Sequence, residues 1–204
     1  MTKMRKVGIM GGTFDPIHIG HLILGENAYA QFGLDKVLFM PSGHPAYKLH
    51  RGATNGQRVE IVRRAIGDNP HFELSLQEMR DEGYTYTRQT LENLTAAHPD
   101  TEYYFIMGAD SLLTFDTWKD PERICELCTI VVAVRDHLSE QELDTAIKNA
   151  SCRYNAHIEK LSTLNIDISS SQLRKWLREG RSCRYYIPGA ALSYIQNGGI
   201  YGTK

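Results

Sequence analysis

Cysteine is scarce in this chain, with 4 in 204 residues, and no second Cys-x-x-Cys pair exists to complete a four-cysteine metal site. Cys125-Glu126-Leu127-Cys128 leads into an apolar strand instead of opening a helix, so the pair is read as small buried hydrophobes. Cys152 and Cys183 stand alone. The expected compartment is reducing and cytoplasmic. An excess of either charge is also lacking. With 23 Lys and Arg against 24 Asp and Glu, the formal net charge is −1, which argues against a general nucleic-acid binder. No run is long and apolar enough to suggest a membrane span. The basic start, Met1 to Lys6, is followed by an apolar run that glycines and Asp15 interrupt, so no signal peptide is expected. There is no internal repeat, low-complexity tract or interdomain linker. Residues 1–204 are therefore expected to form one α/β domain with its own core.

Several familiar site patterns are missing as well. Gly8-Ile9-Met10-Gly11 breaks the glycine spacing of a dinucleotide fingerprint, and no glycine-rich run is followed by Lys-Ser or Lys-Thr. No Ser, His and Asp fall in a convincing triad order. No two carboxylates are marked by spacing as an acid/base pair.

What is present is one dense stretch, Gly11-Gly12-Thr13-Phe14-Asp15-Pro16-Ile17-His18-Ile19-Gly20-His21-Leu22. It follows the apolar run Val7-Gly8-Ile9-Met10 and precedes a helical pattern from Leu22 to a glycine cap at Gly33. A strand-to-helix turn in an open parallel sheet lies where ligands bind, beyond the carboxyl ends of the strands. Gly11 and Gly12 carry no Cβ to keep an anion from the peptide N–H groups. The helix start adds N–H donors and a positive dipole end. His18 and His21, three apart, share one face of a first helical turn. The pattern is a phosphate site with two imidazoles over it. His-x-x-His as half of a zinc site is the alternative, but it lacks an obvious third ligand nearby.

Strands are expected at Lys36–Met40, Phe72–Leu74, Glu102–Met107 and Thr129–Val134. Helices are expected over Gln57–Gly67, from Thr87 through Ala97, at Ser111–Phe115 and Pro121–Leu127, and from a Ser139/Glu142 capping box to Ala150. In the helix at Gln57, Val59, Ile61, Val62, Ala65 and Ile66 should pack while Arg58, Arg63 and Arg64 face solvent. Strands alternating with helices predict a Rossmann-like, doubly wound parallel sheet with helices on both faces and a small helical C-terminal part. The core should cover about 5–165 and the C-terminal part about 166–204. Near the end, Ile168-Ser169-Ser170-Ser171-Gln172-Leu173-Arg174 turns from strand to helix. Its hydroxyls, amides and Arg174 form a second anion cradle, or, more simply, Ser169 caps the helix. Lys48 lies on the polar loop over 42–54.

The stretch Gly11 to Leu22 resembles the signature of the nucleotidyltransferase superfamily. The order continues through Met40-Pro41…Pro45…Lys48, Tyr86-Thr87, Gly108-Ala109-Asp110-Ser111 followed by Trp118, Ile168 to Arg174, Ile187-Pro188 and Asn197-Gly198-Gly199-Ile200-Tyr201. In that order the chain resembles bacterial nicotinate-nucleotide adenylyltransferases. The resemblance implies an enzyme that moves the adenylyl group of ATP to nicotinate mononucleotide, giving deamido-NAD and pyrophosphate. It implies that His18 and His21 stabilise the transition state. Gly11, Gly12, Thr13, Phe14, Gly108, Asp110, Ser169, Ser170 and Arg174 would hold ATP, with Lys48 closing from the loop and Arg135 beside adenine. Thr87 and Trp118 would form the nicotinate pocket, a core anchor being the alternative reading of Trp118. Magnesium would travel on the ATP phosphates with no protein metal ligand. Small molecules, not nucleic acid or membrane, would be the partners. A relative using nicotinamide mononucleotide or phosphopantetheine, or a nucleotide sensor without chemistry, are the other readings. The chain departs from the family pattern in Pro45-Ala46-Tyr47-Lys48 and in Asp136-His137 after Arg135.

Overall fold

The computed structural model describes residues 4–43, 52–79, 84–133, 140–164 and 166–203. Strand alternates with helix through most of the chain. The strands are β1 (Arg5–Gly12), β2 (Lys36–Pro41), β3 (Phe72–Leu74), β4 (Thr101–Gly108), β5 (Thr129–Ala133) and β6 (Ile158–Leu161). The helices are α1 (Ile19–Phe32), α2 (Asn55–Ile66), α3 (Thr87–Ala97), α4 (Ala109–Leu113), α5 (Pro121–Leu127), α6 (Glu140–Tyr154), α7 (Ser170–Arg178) and α8 (Gly189–Asn197). All strand pairings are parallel, in the order β3-β2-β1-β4-β5-β6. That is the doubly wound order, and its direction reverses between β1 and β4. Among the described residues, no helix is long and apolar enough to cross a membrane.

Successive side chains of a strand point to opposite faces. Val7 and Ile9 accordingly join Leu91, Leu94, Leu112, Ile124 and Leu143 in one core, under α3 to α6. Met10, Val37 and Phe39 join Ala28, Ile61, Val62, Leu177 and Ile195 in the other, under α1, α2, α7 and α8. The C-terminal helices thus share a core with the first strands, which brings Arg174 beside the Gly11 turn.

The structure revises several expectations. Strand β1 runs on to Gly12, so Gly11 and Gly12 pair with Met40 and Pro41 instead of lying beyond the strand. Helix α1 begins at Ile19, leaving His18 as its N-cap residue, outside the helix. The edge strand β6 was not expected from its sequence, Ile158-Glu159-Lys160-Leu161, which has two charges and little apolar pattern. No strand leads into α7 among the described residues. The largest revision is Arg58, expected in solvent and found fully buried at 0% exposure. It lies on the stripe of Ile61, Val62, Ala65 and Ile66, the i, i+3, i+4, i+7, i+8 pattern of a packed face. Lys48, Arg135, Val134 and Ser139 fall outside the described residues.

Candidate active site

The ends of β1 and β4 open onto a chamber of about 610 Å³. Of the residues expected to hold a nucleotide, Gly11, Gly12, Thr13, Phe14, His18, His21, Gly108, Asp110, Ser169, Ser170 and Arg174 all line it. A second chamber of about 310 Å³ is lined by Thr87, Trp118, Tyr86, Lys119, Glu78 and Ser42, among others. Both chambers share Gly11, Gly12, Thr13, Phe105, Ser111 and Trp118. Two ligands seated one in each would therefore meet over the glycine turn.

The turn itself is built under tension. Phe14 has φ +48°, in the left-handed region that a residue with a Cβ rarely adopts. Its ring is buried and meets the edge of the His21 ring at 5.1 Å. Phe14 borders the chamber, and its buried ring helps to hold the turn in place. The His18 and His21 rings lie 3.8 Å apart. His21 Nδ1 accepts the N–H of His18 at 3.2 Å, so a neutral His21 ring carries its proton on Nε2. His18 is 1% exposed, so its ring is held by packing at the chamber wall.

The second cradle is fastened to the first. Ser170 Oγ donates to the Pro16 carbonyl at 2.9 Å, and Arg174 Nη1 donates to the Asp15 carbonyl at 2.5 Å. Ser169 caps α7 by accepting the Gln172 N–H at 3.3 Å, so the simpler reading of that serine holds in this state. It remains on the chamber wall, 3.1 Å from the Ser171 hydroxyl.

Asp15, which lies inside the dense stretch but carries no role in the sequence reading, proves central. Its carboxylate is 7% exposed and accepts from Ala53 N–H at 3.0 Å and from the Tyr201 hydroxyl at 2.7 Å. Arg174 Nη1 lies 3.8 Å from the same carboxylate. Burial and the bond to Asp15 push the Tyr201 pKa well above its ordinary value, so this hydroxyl stays a donor. A Cβ on Gly52 would lie 1.9 Å from Asp15 Oδ2, so any other residue here would have to push the carboxylate from its place.

In the smaller chamber, Trp118 is partly buried, edge-on to Phe105 at 5.9 Å and tilted against Phe115 at 5.4 Å. It is at once a packed anchor and a chamber wall. Thr87 is the first residue of α3, and the first i to i−4 bond of that helix is Thr90 N–H to the Tyr86 carbonyl. The N–H groups of Thr87, Arg88 and Gln89 therefore have no partner within the helix. Lys119 Nζ sits 4.8 Å from the Tyr86 ring centroid, adding positive charge to the same wall. Glu78 accepts the Thr90 hydroxyl at 2.8 Å.

Neither cysteine of the pair lines either chamber. Cys125 lies in α5 and Cys128 follows it, and burial pushes their thiols up to about 11 and about 12.

Comparison with known proteins agrees with this geometry. The family model described as cytidylyltransferase-like matches residues 9–176. A curated relative from Lachnoclostridium phytofermentans, named "Probable nicotinate-nucleotide adenylyltransferase", is 46% identical over 97% of this chain and 100% of its own length. A namesake from Desulfitobacterium hafniense is 37% identical over 97% of this chain and 96% of its own. Among solved structures, the Plasmodium falciparum nicotinic acid mononucleotide adenylyltransferase complexed with NaAD has the same fold. It matches with a TM-score of 0.78, covering 98% of both chains at 18% identity.

Proposed function

Because the chain belongs to the cytidylyltransferase-like family and, within it, to the nicotinate-nucleotide adenylyltransferases, we propose that it joins ATP and nicotinate mononucleotide into deamido-NAD and pyrophosphate. The observation that carries this reading is the pair of chambers meeting over Gly11 to Thr13, with both histidines on the wall of the larger. ATP takes the larger chamber and the acceptor takes the smaller.

In the transfer, a phosphate oxygen of nicotinate mononucleotide bonds to the α-phosphorus of ATP while the bond to the β-phosphate oxygen breaks. The attacking phosphate is already anionic at neutral pH, so no general base is required. The protein contributes alignment and stabilisation of charge. His18 and His21 donate ring N–H groups to the α-phosphate oxygens, Thr13 and Phe14, past the end of β1, offer main-chain N–H groups beside them, and Gly11 and Gly12 leave room for the phosphates. Ser169, Ser170 and Arg174 hold the β- and γ-phosphates, with the Arg174 guanidinium turning from the Asp15 carbonyl to the phosphates. Gly108 and Asp110 border the ribose. Arg135 and Lys48 are assigned to adenine and phosphate by resemblance alone.

The nicotinate ring lies on Trp118, with its carboxylate toward the N–H groups that open α3 at Thr87. Magnesium would come bound to ATP and would neutralise phosphate charge there. As the resemblance implies, phosphate oxygens and water would be its main ligands. The four cysteines are free, as suits a reducing, cytoplasmic setting.

The test is product analysis with ATP labelled at the α-phosphorus. The label should appear in deamido-NAD, with unlabelled pyrophosphate released. Label in free AMP, or no dinucleotide, would overturn the assignment.

A further inference from the structure

Arg58 is the largest fully buried side chain among the described residues, and no role above uses it. Its Nη1 donates to the Thr13 carbonyl at 2.6 Å. Its Nη2 donates to the Ser42 carbonyl and to Asn55 Oδ1, both at 2.7 Å. Ser42 in turn donates its N–H to the Gly12 carbonyl at 2.9 Å, and Gly43 N–H donates to the Glu78 carbonyl at 3.0 Å. A closed circuit thus joins the end of β1, the end of β2 and the wall of the smaller chamber.

A buried guanidinium is a weak source of stability, since removing charges from water offsets most of what their contacts contribute. Arg58 spends its donors on two main-chain carbonyls that border the chambers. In a planar trans peptide the C=O and N–H point opposite ways, so pinning the Thr13 carbonyl also sets the direction of the Phe14 N–H. That peptide leads into the strained Phe14 at φ +48°, a conformation that persists only where its surroundings enforce it.

We propose that Arg58 is a positioning residue of the adenylyl transfer, holding the Thr13–Phe14 peptide so that the glycine turn presents its N–H groups to the ATP phosphates. The inference rests on the reading that this turn holds those phosphates.

Arg58→Lys keeps the charge but lacks the planar fork that reaches two carbonyls at once. The variant should melt cooperatively above the assay temperature. Its kcat should fall by about tenfold or more, with the larger part of the loss in kcat and not in the KM of either substrate. A folded variant with kcat within about threefold of the parent, or a loss carried by KM alone, would overturn the inference. Should Arg58→Lys not fold, Asn55→Ala loosens the same guanidinium by removing one of its three acceptors. It should lower kcat about two- to fivefold, and an unchanged kcat would then overturn the inference. Failure of the parent itself to form deamido-NAD would count against the function, whereas an active parent with indifferent variants counts against Arg58 alone.

Discussion

At the scale of single residues, the site depends on side chains held from behind. His18 is buried at the chamber wall with its ring tilted against that of His21, so its ring is placed before any substrate arrives. Losing one such preorganised donor typically lowers turnover by about 10²–10³. His18→Ala should show that loss in kcat while ATP still binds by equilibrium titration. A rate within about threefold of the parent would remove His18 from the mechanism. The chamber-lining residues proposed to hold substrate were legible in the sequence, because glycine pairs, histidine spacing and serines at a helix start each carry a chemical reason. Those that hold them were not, or were misread. Asp15 stands in the dense stretch, but its holding role shows only once folding brings Ala53 and Tyr201 to it. Arg58 did leave a signal, a charge on the packed stripe of α2, but assigning it to solvent by residue type hid that signal.

At the scale of elements, the start of α7 is where the proposed phosphate site and the architecture meet. Ser170 and Arg174 bond the main chain at Pro16 and Asp15, so the helix is docked on the glycine turn before it meets a phosphate. Arg174→Ala should raise the KM for ATP much more than that for the acceptor, since a charge-assisted contact is lost on one substrate. Lysine should restore only part of it. A change confined to the acceptor would show that α7 serves the other chamber. The elements themselves were mostly foreseen, because apolar runs and glycine or proline stops are local signals. Boundaries moved where tertiary pairing decided them. Gly11 and Gly12 extend β1 because Met40 and Pro41 lie alongside. The short, charged β6 exists because the edge of β5 was open to it.

At the scale of the whole molecule, the sheet order places the reversal between β1 and β4, and the site lies at the ends of those two strands. The C-terminal residues complete it from the far end of the sequence, Tyr201 reaching Asp15 across 186 positions. Tyr201→Phe leaves a buried carboxylate short of one donor, which should lower stability by about 1–3 kcal/mol. The check is a denaturant midpoint that falls with an unchanged slope. An unchanged midpoint would mean that the C-terminal contact adds nothing to the fold.

The central claim is that the smaller chamber is shaped for a pyridine nucleotide with a carboxylate. Trp118 supplies a flat face, but nicotinate and nicotinamide rings are nearly the same shape, so stacking cannot separate them. Separation falls to the N–H groups opening α3 and to the positive charge of Lys119. An amide would set its NH₂ against those donors, at a penalty of about 1–3 kcal/mol. The direct measurement is pyrophosphate release from ATP with each mononucleotide in turn, taken as kcat/KM. Nicotinate mononucleotide should be preferred by about tenfold or more. Equal use of the two, or a preference for nicotinamide mononucleotide, would contradict the account.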